Sequence, residues 1–306
     1  MTRREAAKLI SASAAGLVWP IGAATAEKSE QSTMLTRKIP GSAEKLPVIG
    51  LGTWSVFDVS LPENQQQLED VLSLLLKRGG KVVDSSPMYG RAESVVGDLA
   101  AKLKVRDSLF IATKVWTSGK EQGIKMMERS MELFHAKRID LMQVHNLVDV
   151  AVHMGTLREW KSKGRIRYCG ITHSQTSGFY EVERNMQSQK PDFVQINYSL
   201  MEPGAAQRIL PLAQELKMAV IINRPFGGGS LFRRVLAKPL PQWAAEFDCH
   251  SWAQFFLKWI IAHPAVTCVI PATNNPAHME DNLAAGRGKL PDEKMRQRML
   301  ALVSSL

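Results

Sequence analysis

Short runs of apolar, mostly β-branched residues recur along the chain, beginning near Val48, Lys81, Leu109, Leu141, Tyr168, Phe193, Ala219 and Thr267. Most start about 25 to 33 residues apart, the length of one strand-helix unit. The segments between them carry a helical period instead. Residues 92–103 (AESVVGDLAAKL) and 61–76 space their apolar positions three and four apart, and the second opens with Pro62 in its first turn. One longer gap, between the seventh and eighth runs, holds Gly227, Gly228 and Gly229 and a helical stretch near 252–262.

Eight such repeats predict an α/β chain folded as a closed, parallel (β/α)8 TIM barrel. A doubly wound open sheet uses fewer units and a glycine-rich turn after its first strand. Here the first run ends in Gly50-Leu51-Gly52-Thr53-Trp54, which is not GxGxxG. Residues 34–47, with Pro40-Gly41 at the turn, predict a β-hairpin that plugs the barrel floor. Further helices are expected after the eighth strand, near 276–285 and 292–303.

The N-terminus departs from this pattern. Arg3-Arg4, then Lys8, precede a mildly apolar stretch from Leu9 to Ala23 and the small residues Ala24-Thr25-Ala26. A charged start, a short apolar middle and a small-x-small end predict an export signal cleaved after Ala26, and the paired arginines resemble a twin-arginine signal. The expected organisation is therefore residues 1–26 as signal, read by the twin-arginine export machinery, and residues 27–306 as one barrel domain in the periplasm. No apolar run reaches the ~18 residues that span a bilayer, so no stable membrane insertion is expected after cleavage.

Losing Arg3, Arg4, Lys8 and Glu5 with the signal lowers the net charge from +10 to +8. The basic residues are scattered, without a run interleaved with aromatics, so they read as solvated faces rather than a nucleic-acid site. Three cysteines, Cys169, Cys249 and Cys268, are too few for a disulfide framework. That suits folding in a reducing compartment before export.

In a barrel, reactive residues sit at the C-terminal ends of strands. Asp84 ends the second run (KVVD), Lys114 the third (FIATK) and His145 the fourth (LMQVH), while Tyr89 follows Asp84 in the loop Ser85-Ser86-Pro87-Met88-Tyr89-Gly90. Each alone could be a rim ion pair or a helix cap, but the four together have complementary chemistry. Reducing a carbonyl by hydride leaves an alkoxide unless a proton is supplied. A tyrosine is a poor acid at its usual pKa near ~10, and a neighbouring ammonium lowers it. Lys114 can do this, Asp84 can hold Lys114 charged and in place, and His145 can orient the carbonyl oxygen. No metal is required, and the histidines show no ligand spacing.

Here the sequence resembles the aldo-keto reductase superfamily, from about Met34 to Ala285. The resemblance rests on D-x-x-x-x-Y-G at 84–90, Lys114 in IATK and His145 in DLMQVH. It implies an NAD(P)H-dependent reduction of a small-molecule aldehyde or ketone. Tyr89 would be the proton donor, Lys114 and Asp84 its tuning partners, and His145 the substrate-orienting residue. It also implies a dinucleotide site. Gly52, Thr53 and Asp84 would approach the nicotinamide ribose, and Gln195 would bond the carboxamide. Thr172-His173 stand where the family often has Ser-Asn. Asn223, Arg224 and Phe226 stand in place of Tyr-Ser-Pro-Leu, so the stacking tyrosine is replaced by Asn223. Gly228 and Leu231 would lie at the pyrophosphate. Ala272, Thr273, Asn274, His278 and Asn282 occupy the adenosine-phosphate segment, where NADP-preferring members carry Lys and Arg. NADP is expected on family grounds, with NAD as the alternative. A rival reading keeps the barrel and cofactor as a slow redox-sensing or regulatory protein. A metal-dependent barrel hydrolase would need several strand-end histidines, and this chain has one.

Overall fold

The computed structural model describes residues 33–306 apart from Pro62, so the expected signal and its cleavage point lie outside the described residues. Two short antiparallel strands come first, β1 (Thr36–Lys38) and β2 (Lys45–Pro47). Eight parallel strands follow in an unbroken order: β3 (Leu51–Gly52), β4 (Val82–Asp84), β5 (Phe110–Val115), β6 (Ile139–His145), β7 (Ile166–Thr172), β8 (Phe193–Asn197), β9 (Ala219–Asn223) and β10 (Cys268–Val269). Each falls within or beside one of the eight apolar runs. Parallel bridges Ile49 to Val269 and Gly52 to Ala272 bring the first and eighth strands of the barrel together.

The strands are buried on both faces, which is why they read as near-continuous apolar runs. Their outer faces pack on the helices α1 (Gln65–Lys77), α2 (Ala92–Lys102), α3 (Lys120–Leu133), α4 (Val150–Ser162), α5 (Phe179–Gln189), α6 (Ile209–Glu215) and, after a short α7 (Ser230–Arg234), α8 (Trp252–Ile261). In α1 the buried positions Leu68, Val71, Leu72 and Leu75 repeat at i, i+3, i+4 and i+7, one face of a helix. This helix starts at Gln65, later than the expected residue 61, and ends one residue beyond the expected 76. The periodicity did not signal α7, which follows the glycine triplet. The C-terminal helices are α9 (Pro276–Ala284) and α10 (Glu293–Ser304), as expected.

The hairpin closes the floor as expected. Its Ile39 and Leu46 pack with the inward residues Phe110, Leu141, Phe193 and Ile221. Glu44 of the hairpin pairs with Lys81 and Arg167, and Arg37 donates to the carbonyls of Ile261, His263 and Val266. With the floor sealed, the C-terminal ends of the strands form the mouth. Among the described residues no helix is long and apolar enough to cross a membrane.

Candidate active site

Strand register brings the predicted residues to one place. Asp84 pairs across to Ala112, Lys114 to Gln143 and His145 to Thr172, so three neighbouring strand ends deliver Asp84, Lys114 and His145 together. A turn with Tyr89 N–H on Ser86 O folds Tyr89 back over them. Lys114 Nζ donates to Asp84 Oδ2 at 2.7 Å and to Ser85 O at 2.6 Å, while Gln143 Nε2 donates to Asp84 Oδ1 at 3.4 Å. The ammonium lies 5.1 Å from the centre of the Tyr89 ring. The His145 ring stands edge-on to Tyr89 at 6.1 Å and 6.3 Å from Trp116.

Lys114 and Asp84 are 1 % and 2 % exposed, so neither charge can stand without the other. Burial alone lowers the Lys114 pKa, but the pull of Asp84, Tyr89 and Glu93 outweighs it, and the ammonium is held charged above the usual lysine value. Tyr89 corrects one expectation. Lys114 does draw its pKa down, yet burial, aided by the Asp84 charge, is stronger, and the phenol stands above its ordinary value. Its proton is therefore firmly present before reaction. His145 is pushed down to about 3 by burial, then by Lys114 and His173, so its imidazole is neutral at working pH. Ser86 Oγ lies 3.1 Å from His145 Nδ1 and accepts from Met88 N–H. Its own proton can point at Nδ1, and in that arrangement the ring proton sits on Nε2 as a donor.

Around this cluster the mouth is polar in a particular way. Gln195 Oε1, Asn223 Oδ1 and both amide atoms of Asn197 are buried without a hydrogen-bond partner. They sit on adjacent strands, with Thr172 paired to Gln195 and Asn197 paired to Asn223. Buried amides without partners are costly, and a carboxamide-bearing ligand supplies the missing donors and acceptors. On this observation the residues present fit a nicotinamide. His173 lies beside them, its N–H on Gln195 O at 3.0 Å and its carbonyl accepting from Asn223 Nδ2 at 3.5 Å.

The other candidate positions are distributed more widely. Gly52 and Thr53 end the first barrel strand. A Cβ on Gly52 would come within 2.8 Å of Ile270 O, so barrel closure alone requires this glycine. Thr53 Oγ1 donates to Asp84 O at 3.0 Å. Arg224 has a left-handed backbone and its side chain lies 4.0 Å from Glu202. Phe226 packs against Phe232 and Phe256. Gly228 lies in the turn before α7 and Leu231 in its first turn, where the N–H groups of Gly227, Gly229 and Leu231 are taken by Arg224 O and Phe226 O. Ala272 bridges Gly52 at the closure. Thr273 Oγ1 accepts from Asn275 N–H, His278 is exposed on α9, and Asn282 is buried there. Among the described residues no group of three or more metal-ligating side chains converges.

Residues 48–299 match the family model described as the aldo/keto reductase family. The chain belongs to the aldo/keto reductase family. Methylglyoxal reductase YeaE of Escherichia coli is 27% identical over 248 residues, covering 78% of this chain and 85% of that protein. The 9,11-endoperoxide prostaglandin H2 reductase of Trypanosoma cruzi is 25% identical over 261 residues, covering 83% and 87%. Among solved structures, an aldo-keto reductase from Klebsiella pneumoniae in complex with NADPH superposes with a TM-score of 0.72 at 24% identity, covering 89% of this chain and 95% of that one. An aldo-keto reductase from Bacillus halodurans gives the same TM-score at 19% identity, covering 88% and 96%.

In this aldo/keto reductase Ser85, Ser86 and Gln143 escape a strand-end search. Ser85 and Ser86 lie in the loop between Asp84 and Tyr89, one accepting from Lys114 through its carbonyl and one meeting His145. Gln143 lies two residues before His145 on the same inward face, and period-two alternation along β6 would have found it. Asn197 gave no signal beyond its strand-end place.

Proposed function

We propose that this chain is an exported reductase that converts an aldehyde or ketone to the alcohol with NADPH, the proton coming from Tyr89. One observation carries the chemistry: Tyr89, Lys114, Asp84 and His145 meet at the ends of three neighbouring strands, with the buried Lys114–Asp84 pair at 2.7 Å. A bound nicotinamide dinucleotide supplies the hydride. Gln195, Asn197, Asn223, Thr172 and His173 would hold its carboxamide end, and the β10–α9 segment from Ala272 to Asn282, with Gly228 and Leu231, its phosphate end. His145 Nε2–H bonds the carbonyl oxygen and fixes its direction. The Tyr89 hydroxyl then protonates that oxygen, and Lys114 stabilises the phenolate left behind, itself fixed by Asp84 and Ser85 O. Trp54, Met88 and Trp116, exposed on the loops after β3, β4 and β5, favour a substrate with an apolar body.

The names of the relatives range from methylglyoxal to a prostaglandin endoperoxide, which supports the reaction class more than any one substrate. Export is supported by the Arg3-Arg4 start and Ala24-Thr25-Ala26, and the three buried cysteines, which form no disulfide, are compatible with folding before export. The first test follows NADPH oxidation across small, aromatic and sugar aldehydes. Tyr89→Phe should keep NADPH affinity and melting temperature but lose about 10²–10⁴-fold in kcat. Lys114→Met should lose rate and also stability, by about 3–5 kcal/mol, because it strands buried Asp84. A folded Tyr89→Phe enzyme with near-normal rate would overturn the mechanism. No turnover with any carbonyl would favour the regulatory reading.

A further inference from the structure

The charge that looks scattered along the sequence is gathered by the fold. In a (β/α)8 barrel every helix returns to the N-terminal ends of the strands, so all helix-to-strand connections share the face opposite the mouth. Those connections and the plug hairpin carry Lys38, Lys45, Lys104, Lys137, Arg138 and Lys217, all exposed. None of the six takes an ion pair among the described residues. Of the acids on or beside this face, Glu44 pairs with Lys81 and Arg167, Asp140 with Arg167 and Asp192 with Lys161, while exposed Asp107 and Glu215 take no ion pair and are outnumbered by the six cations.

Cations near helix C-termini also favour the helix dipole, which accounts for some of these positions. It does not account for Lys38 and Lys45, which are direct cross-strand partners in the hairpin. Like charges placed opposite each other cost stability. Beside them a depression of about 490 Å³ opens between the hairpin and α6, lined by Arg37, Lys38 and Lys217 and by no carboxylate side chain. The Arg37 guanidinium is committed to backbone carbonyls, so Lys38 and Lys217 supply the free ammonium groups.

We propose that this floor docks on an anionic phospholipid surface, with a phosphate headgroup entering the depression and the catalytic mouth turned to solvent. The cations ring a broad face rather than track a groove, and none of the large exposed aromatics, Trp54, Trp116, Tyr180 and Phe232, lies on the floor connections. Single-stranded nucleic acid is held by stacking platforms in a groove, and this face offers neither. Attachment is therefore electrostatic and reversible, at the level of the headgroups.

The test uses the mature protein from Glu27 and vesicles of phosphatidylglycerol and phosphatidylcholine in equal parts, against phosphatidylcholine alone, read by co-sedimentation. At about 50 mM salt the anionic vesicles should bind at least tenfold more protein, and about 500 mM salt should release it, as screening demands. K38E/K45E/K217E should weaken partitioning at least tenfold. K125E/R184E/K294E, an equal charge change on the outer helix surfaces, should weaken it less than about threefold, since surface attraction fades within a Debye length. Both variants should keep wild-type melting temperature and carbonyl turnover. Equal losses in the two variants, salt-insensitive binding or equal binding to neutral vesicles would each overturn the proposal. So would double-stranded DNA binding more tightly than the anionic vesicles with the same loss in K38E/K45E/K217E, which would assign the face to nucleic acid.

Discussion

His145 sits where three influences agree. Burial, the Lys114 ammonium and His173 all disfavour its protonated form, and Ser86 Oγ lies 3.1 Å from Nδ1, where a donated hydroxyl proton would favour the tautomer that donates from Nε2. In the unfolded chain the same imidazole binds a proton near pH ~6.5. Between about 3 and that value the unfolded state therefore carries a proton that the folded state lacks. Stability rises with pH across this window and is flat above it with respect to this group. His145→Gln removes the effect. Urea titrations at pH 4.5 and 7 should show wild type losing about 2–3 kcal/mol more than the variant on acidification. Equal losses would mean that the imidazole is not held neutral. The same variant should lose less rate than Tyr89→Phe and should raise KM, because orienting the substrate is separate from protonating it.

The strands were the most legible elements, because a parallel sheet buried on both faces must be written in continuous apolar, β-branched residues. Boundaries were less so. The expected start of α1 at residue 61 came from its apolar residues and Pro62, whereas the helix begins only after Asn64. The four residues proposed for catalysis were readable because each ends a strand or follows in the next loop. Ser86, Gln143 and Asn197 were not, since neutral side chains outside the positions the family resemblance names are marked only by where the fold puts them: beside His145, on Asp84, or buried without a partner. The segment from β10 into α9 shows the same limit in another form. Ala272 and exposed His278 bring no permanent cation to a 2'-phosphate, and the Thr273 hydroxyl offers only a neutral donor. NADPH should accordingly be preferred over NADH by less than about a hundredfold, roughly 3 kcal/mol, in fluorescence titrations. A larger margin would mean that Arg233 or Arg234, exposed on α7, reaches the phosphate.

At the scale of the molecule, the catalytic mouth and the basic floor occupy opposite ends of one barrel, and the two can be altered independently. The export proposal belongs here too. Protein recovered from the periplasm should begin at Glu27 when its N-terminus is sequenced, and an intact Met1 on a cytoplasmic protein would end that reading. The closure between β3 and β10 carries a kinetic consequence. Ile49 meets Val269, and Arg37 reaches His263, 226 positions further along the chain. A ribosome must therefore release almost the whole polypeptide before the ring can shut. Until then β3 and β9 present unpaired backbone edges on the nascent chain, the kind of surface that recruits other strands. Loop closure over such a separation is slow compared with helix formation. The interval between emergence and closure is thus when this protein is most exposed to aggregation, and when a holding chaperone has the most to bind.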